Sequence, residues 1–369
     1  MKKNKVITSI LSGYTLLGAT ATGLVATACN SDDNNEEVNK HFFTVNANKD
    51  LSVEFCDVGA SLYSVKYKGV DITYHPMAKE NFIKPTAYYG KTVGRLAGRI
   101  GEGKLNVEGK QYQLEINEEG ANNTLHGGQH GFSTQQFTRY IKEDNNCVFV
   151  MFNYVSPNGE GGFPELVDCL VCYRIYKNEP KIDLNYYCKT SGTTPLNLTS
   201  HTYFRLANSG NIRNHELTIP ADKKSVYDGN RRPVGEDNVS ETENPQWNFQ
   251  TKKKIGDDLD YVIEHDPGAH GYDGVWIFET GANTHTVTLE NPDNNYKLDI
   301  VTDAKGITLY SNNWADANLL MNEGEHDAAY NSIALEPVTP FITTNTDALN
   351  VDANEMYTRF ISYRLSDSE

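Results

Sequence analysis

Short runs rich in Val, Ile, Tyr, Phe and Thr, alternating apolar with polar and separated by Gly, Asn, Asp and Pro, recur along almost the whole chain. That period of two makes the strand the building unit, because successive side chains of an extended backbone point to opposite faces. SLYSVKYK from Ser61, KLNVEGKQYQLEI from Lys104, CVFVMFNYV from Cys147, LVDCLVCYRIY from Leu166, KIDLNYYCK from Lys181, HTVTLENPDNNYKLDIVTD from His285 and YTRFISYRL from Tyr357 all carry it. Several of these pair as hairpins across Glu-Gly or Asn-Asn turns. Long helical patterns are nearly absent, and 22 tyrosines with 14 phenylalanines suit pleated, half-buried surfaces. No linker rich in Pro, Ser or Gly interrupts the strands after Lys40. Residues 41–369 are therefore expected to form a single all-β domain, a large antiparallel β-sandwich.

The first forty residues obey a different logic. A basic MKKNK, an apolar small-residue stretch from Val6 to Val25 and Ala26-Thr27-Ala28-Cys29 read as an export signal over residues 1–28. Small residues directly before Cys29 resemble a lipoprotein signal, which would lipidate Cys29 and tether the protein to a membrane; a plain secretory cut near Ala28 is the other reading. Residues 29–40 are rich in Asn, Asp and Glu and are expected to be a flexible spacer. Without the signal, 30 Lys+Arg remain against 49 Asp+Glu, a formal charge of −19. Such a field repels nucleic acid and phosphorylated ligands and is indifferent to a neutral one. Five cysteines besides Cys29 are an odd number for a complete disulfide framework. Cys169 and Cys172 form a CxxC, but within a strand that spacing puts them on opposite faces, as buried small apolar residues.

Polar clusters stand out against this background. In GRLAGRI, residues 94–100, an extended backbone would place Arg95, Ala97 and Arg99 on one side, which taken alone reads as surface arginines. In NTLHGGQHGF, residues 123–132, His126 precedes two glycines that permit a tight turn or close approach to the backbone. His126 and His130 are four apart, yet the glycines between them oppose the helix that a metal pair at this spacing would need, so no metal is expected. PLNLTSHTYFRL, from Pro195, has two unlike faces: Asn197, Thr199, His201, Tyr203 and Arg205 share one that is polar throughout. Such a face suits a sugar platform, and equally an ordinary solvated sheet. Asp273 lies in a Gly-flanked turn before an apolar strand, where it could simply fix the turn. Glu336 in NSIALEP reads as the end of an apolar strand, beside Ser332 and Ala334, where a carboxylate can be desolvated as a base.

In their order, GRLAGRI, NTLHGG, SPNGEGGFP, LNLTSHTYF, GYDGVW and ALEP resemble the aldose 1-epimerase (galactose mutarotase) family from about Val93 to Phe341. The resemblance implies a wide β-sandwich with a free monosaccharide in an open cleft on one sheet, and no cofactor or metal. It implies His201 as the general acid at the ring oxygen and Glu336 as the base at the C1 hydroxyl. Arg99, His126 and Asp273 would hold the sugar, with His126 also acting at the ring oxygen. Those roles ask His201 to start protonated and Glu336 ionised, states that mutual proximity favours.

The sequence departs from the family pattern at Gly98, Phe137, Glu165, Gly274 and Val275 and in VTPFITTNTD after ALEP, changes expected at the cleft rim. A sugar-binding surface lipoprotein without catalysis is the alternative; it would be marked by loss of His201 or Glu336, and both are present. An epimerase of phosphosugars is opposed by the charge of −19. A polysaccharide lyase or hydrolase would want a second catalytic acid. A monomer or weak dimer is expected, exported from the cytoplasm.

Overall fold

The computed structural model describes residues 36–84, 88–266 and 268–368. The export signal and Cys29 lie outside them. Residues 36–39 already wind into a helical turn, inside the stretch read as spacer. From Val38 onward the chain is one compact unit.

Two antiparallel sheets form its body. In the nine-stranded sheet the order is Thr138–Glu143, Cys147–Ser156, Val167–Tyr176, Lys181–Thr190, Tyr357–Asp367, Tyr296–Thr302, His285–Asn291, Glu216–Thr218 and Lys253–Lys254. In the six-stranded sheet it is Tyr203–Phe204, Ile333–Val338, Gly306–Tyr310, Asp273–Phe278, Ala221–Tyr227 and Pro233–Asn238. A four-stranded sheet opens the unit with Phe42–Asn46 and Leu51–Cys56 among its strands. Side chains from both large sheets, Leu184, Ile361 and Tyr363 from one and Trp276, Leu309 and Leu335 from the other, meet in one continuous apolar core. This is the expected all-β sandwich, its inner faces filled by alternate residues of each strand.

The Glu-Gly hairpin read from sequence joins Lys104–Val107 to Lys110–Gln113, with Glu108 and Gly109 both at positive φ, the backbone that a two-residue turn demands. The helices Lys79–Ile83 and Gly256–His265 had no sequence signal, and the buried contribution of the second is only Leu259 and Val262. Among the described residues no helix is long and apolar enough to cross a membrane. All five cysteines there are free and buried. Cys169 faces Cys188 on the neighbouring strand with sulfurs 2.9 Å apart, not its CxxC companion.

Candidate active site

His201 ends the short strand Thr199–His201, which pairs with Lys91–Val93. The expected alternation holds here: Leu196, Leu198 and Phe204 enter the core while Asn197, His201 and Tyr203 line a cleft of about 320 Å³. The polar face is not solvated, however, since all of these side chains are buried. Arg205 also leaves the cleft, lying over the Tyr74 ring and donating to the carbonyls of Asn208 and Gly210. Glu336 comes from the other large element, Ile333–Val338, and stands within that strand rather than at its end, opposite Thr308. Pro337 is tolerated beside it because the neighbour Tyr203–Phe204 pairs only as far as Ala334 and leaves no ladder bond to lose. Nε2 of His201 lies 3.4 Å from Oε1 of Glu336.

His126 joins them from a left-handed turn. Its own φ is +52°, and Gly127 and Gly128 follow at +91° and +87°. A Cβ on Gly127 would stand 2.0 Å from the Gly94 carbonyl oxygen, so the close approach that the glycine permits is of chain to chain. The turn is clasped to the 94–98 segment twice: the His126 N–H donates to the Gly98 carbonyl at 3.0 Å, and the Gly98 N–H donates to His126 Nδ1 at 3.3 Å. The second bond decides the tautomer: neutral His126 accepts at Nδ1 and carries its proton on Nε2, as a donor. His126, His201 and Glu336 present three ligand atoms within 4.8 Å of one another, a spacing that invites a metal. The donor set argues otherwise, because a metal-binding histidine donates its second ring N–H outward, whereas Nδ1 of His126 accepts. His130 is elsewhere, exposed and bonded to Glu115 at 2.6 Å.

The two arginines of GRLAGRI part company. Arg95 is buried behind the cleft, donating to Ser156 Oγ and to the carbonyls of Pro157, Pro164 and Glu165, so the SPNGEGGFP loop is its hydrogen-bond cage. The expected shared side fails because residues 94–98 bend, with Leu96 bridged to Asn197 and Gly98 at φ +95°. Arg99 does reach the cleft. Its Nε donates to both oxygens of Glu118 at 3.1 and 3.0 Å, and its Nη1 lies 4.0 Å from Asp273 Oδ2. Asp273 opens the strand Asp273–Phe278, as its place before an apolar run suggested.

Other lining residues carried no sequence signal: Tyr88, Tyr227, Arg231 and Trp314. Asn197 did carry one, through the alternation it shares with His201. Its side chain pairs both ways with the Thr339 backbone, at 2.9 and 3.0 Å, and pins the strand that carries Glu336. Of the departures from the family pattern, Gly98, Val275 and the Val338, Thr339, Pro340 and Phe341 part of VTPFITTNTD reach the cleft. Phe137 is instead core, packed on Phe132 and Tyr154, and Glu165 bonds Ser191 outside the cleft.

Burial governs the electrostatics. It pushes the His201 imidazole down to about 4 and His126 well below its ordinary value, His201 and Arg99 adding to the effect at His126. Burial likewise raises the Glu336 carboxyl well above its usual range, reinforced by Asp273 and opposed by Arg99. Burial thus favours Glu336 over His201 as the holder of a proton, the reverse of the charged pair expected from proximity. Desolvation disfavours the charged form of both groups and so opposes their attraction.

The sequence profile described as aldose 1-epimerase matches residues 41–364. The chain belongs to the aldose 1-epimerase family. Galactose mutarotase of Rattus norvegicus is 30% identical over 295 residues, 78% of this chain and 82% of that protein. Aldose 1-epimerase of Haemophilus influenzae is 28% identical over 300 residues, 79% of this chain and 85% of that one. Among solved structures, an aldose epimerase homologue from C. elegans superposes with a TM-score of 0.78 at 22% identity, covering 89% of this chain and 99% of its own. This member of the family is thus an isomerase acting on a sugar, and its strand framework is that of the galactose mutarotase fold.

Proposed function

We propose that His201 and Glu336 interconvert the α and β anomers of a free aldose by passing one proton between them through the sugar. The observation that carries this is the 3.4 Å contact of Nε2 and Oε1 on the floor of the cleft. A cyclic hemiacetal opens when its C1 hydroxyl loses a proton and its ring oxygen gains one. Both oxygens sit on the same carbon, so acid and base must stand a few ångströms apart. Glu336 takes the proton from O1, the C1 to ring-oxygen bond breaks as C1 becomes a carbonyl, and His201 delivers its proton to the ring oxygen. After rotation about the C1–C2 bond the steps reverse on either face. His126 donates from Nε2 to the ring oxygen, while Arg99 and Asp273 receive the remaining hydroxyls.

The pair holds one proton throughout. With the cyclic sugar bound it sits on His201; with the open chain it sits on Glu336, the arrangement that burial favours. A bound ring whose O1–H donates to Glu336 favours the carboxylate and moves the proton across.

The test is the optical rotation of freshly dissolved α-D-glucose and α-D-galactose. Wild-type protein speeds the approach to equilibrium; failure with both, and with xylose and arabinose, would favour sugar binding without catalysis. The pH profile of kcat/KM follows from the same pair. As pH falls through the lowered His201 value a second proton arrives and no base remains. As pH rises through the raised Glu336 value the only proton leaves and no acid remains. A broad bell is expected, its acid limb well below the imidazole value of about 6.5. An acid limb at or above that value would place the proton differently.

We further propose export and a membrane tether through lipidated Cys29, with the enzyme equilibrating anomers outside the cytoplasm as a monomer or weak dimer. The small-residue run before Cys29 supports this reading. Membrane-fraction protein is expected to pass to the soluble fraction when Cys29→Ser is introduced. Wild-type protein found in the soluble cytoplasm would overturn it.

A further inference from the structure

We propose that Arg231 is a positioning residue of the sugar site, acting on the sugar through Asp273; this rests on the reading of the cleft given above. Arg231 stands in the turn between Ala221–Tyr227 and Pro233–Asn238. It adopts φ +60° there, unusual for a side chain of its size. The turn is held by Asp228, whose Oδ1 accepts the N–H groups of Asn230 at 2.9 Å and Arg232 at 3.0 Å and whose carbonyl accepts from Arg231 at 3.0 Å. The base of the side chain is thus fixed before the guanidinium makes any contact.

Both terminal nitrogens then have partners, while the buried Nε has none. Nη1 lies 3.3 and 3.2 Å from the two oxygens of Asp266, and the guanidinium sits 4.8 Å over the Tyr227 ring. Nη2 donates to the main-chain carbonyl of Asp273 and lies 3.4 Å from its Oδ2. The same Oδ2 is 4.0 Å from Nη1 of Arg99, which is committed to Glu118 through its Nε. Asp273 is therefore suspended between two guanidiniums without a tight fork to either. It is held oriented while keeping lone pairs for sugar hydroxyls. Without Arg231 the carboxylate would swing onto the free edge of Arg99 and close the space both groups share.

Arg232, the next residue, points the other way. It donates to Asn123 Oδ1 at 2.8 Å and to the Ala121 carbonyl at 3.0 Å, on the segment that leads into His126. One turn thereby braces both sides of the cleft, and only its Arg231 half touches a group that meets the sugar.

The experiment is a double-mutant cycle on the full chain, using Arg231→Met, Asp273→Asn and the double variant, with Arg231→Lys as the conservative control. Mutarotation of α-D-galactose gives kcat and KM, calorimetry with galactose gives Kd, and thermal melts check the fold. Arg231→Met is expected to raise KM and Kd about tenfold with kcat within about threefold, and Arg231→Lys to recover part of the loss. In the Asp273→Asn background Arg231→Met should add no more than about twofold. The full tenfold loss in that background would show that Arg231 meets the sugar directly, and an unchanged KM and Kd in the single variant would show that it positions nothing; either overturns the proposal. Wild-type protein that binds galactose without speeding mutarotation would count against the acid and base roles, while the cycle in Kd still decides the role of Arg231. Wild-type protein that neither binds nor turns over galactose or glucose overturns both.

Discussion

Glu336→Gln is expected to lower kcat for mutarotation by about 10³-fold while leaving KM within about threefold. Glutamine fills the same volume within the buried strand Ile333–Val338, so the fold and the cleft floor are kept. What is lost is an oxygen able to accept and then hold the proton of O1. His201→Asn is expected to cost about 10² to 10⁴ for the complementary reason, since no group then delivers a proton to the ring oxygen. Because the proposed roles have the two side chains handle one and the same proton, their losses should not multiply. The double variant is expected within about threefold of the poorer single one. Polarimetry with the spontaneous rate subtracted measures all three. A Glu336→Gln enzyme retaining more than about a tenth of wild-type kcat would remove Glu336 from the role of base.

Gly127→Ala is expected to damage both stability and turnover although it touches no sugar. The added Cβ would lie 2.0 Å from the Gly94 oxygen and 2.9 Å from the Arg95 nitrogen, in a backbone at φ +91°. Neither atom belongs to a flexible side chain, so the segment from Gly94 to Gly98 must move, and with it the clasp that orients His126. A loss of about 3 kcal/mol is expected, seen as a melting temperature lower by about 4 °C for a domain of this size. Displacement of His126 by about an ångström would cost a further factor of roughly 10² in kcat/KM. Gly109→Ala is the control, because Gly109 shares the positive φ of +79° but has nothing within 4 Å of its Cβ direction. It should cost only about 1 kcal/mol and leave turnover unchanged. Equal effects at the two positions would mean that backbone strain alone, and not the Gly94 contact, makes Gly127 necessary.

What could be read from the sequence follows from how far each residue's environment reaches along the chain. The strands were legible because burial on one face imprints a period of two, and His201 was legible for the same reason, lying on a polar face whose partner face is core. Gly256–His265 was hidden because only Leu259 and Val262 of its ten residues enter the core, too few to write a helical period. Arg95 and Arg99 look alike in GRLAGRI, and only the bend at residues 94–98 sends one into a cage of carbonyls and the other to the cleft. The proton's location could not be read at all. Glu336 and His201 are 135 positions apart in the chain, and how deeply each is buried depends on elements contributed by both halves of the fold. Arg231 lies in a turn, where no periodicity operates, so its place beside Asp273 emerges only once the strands on either side are laid down.

On the proposed roles, the single proton shared by His201 and Glu336 also determines how the enzyme recovers between turnovers. Opening moves that proton from imidazole to carboxyl and closing moves it back, so the site that releases a sugar is already the site that accepts the next one. Nothing has to be exchanged with bulk solvent, and no separate regeneration step intervenes. The cycle is indifferent to which anomer enters, running at equilibrium as readily as towards it.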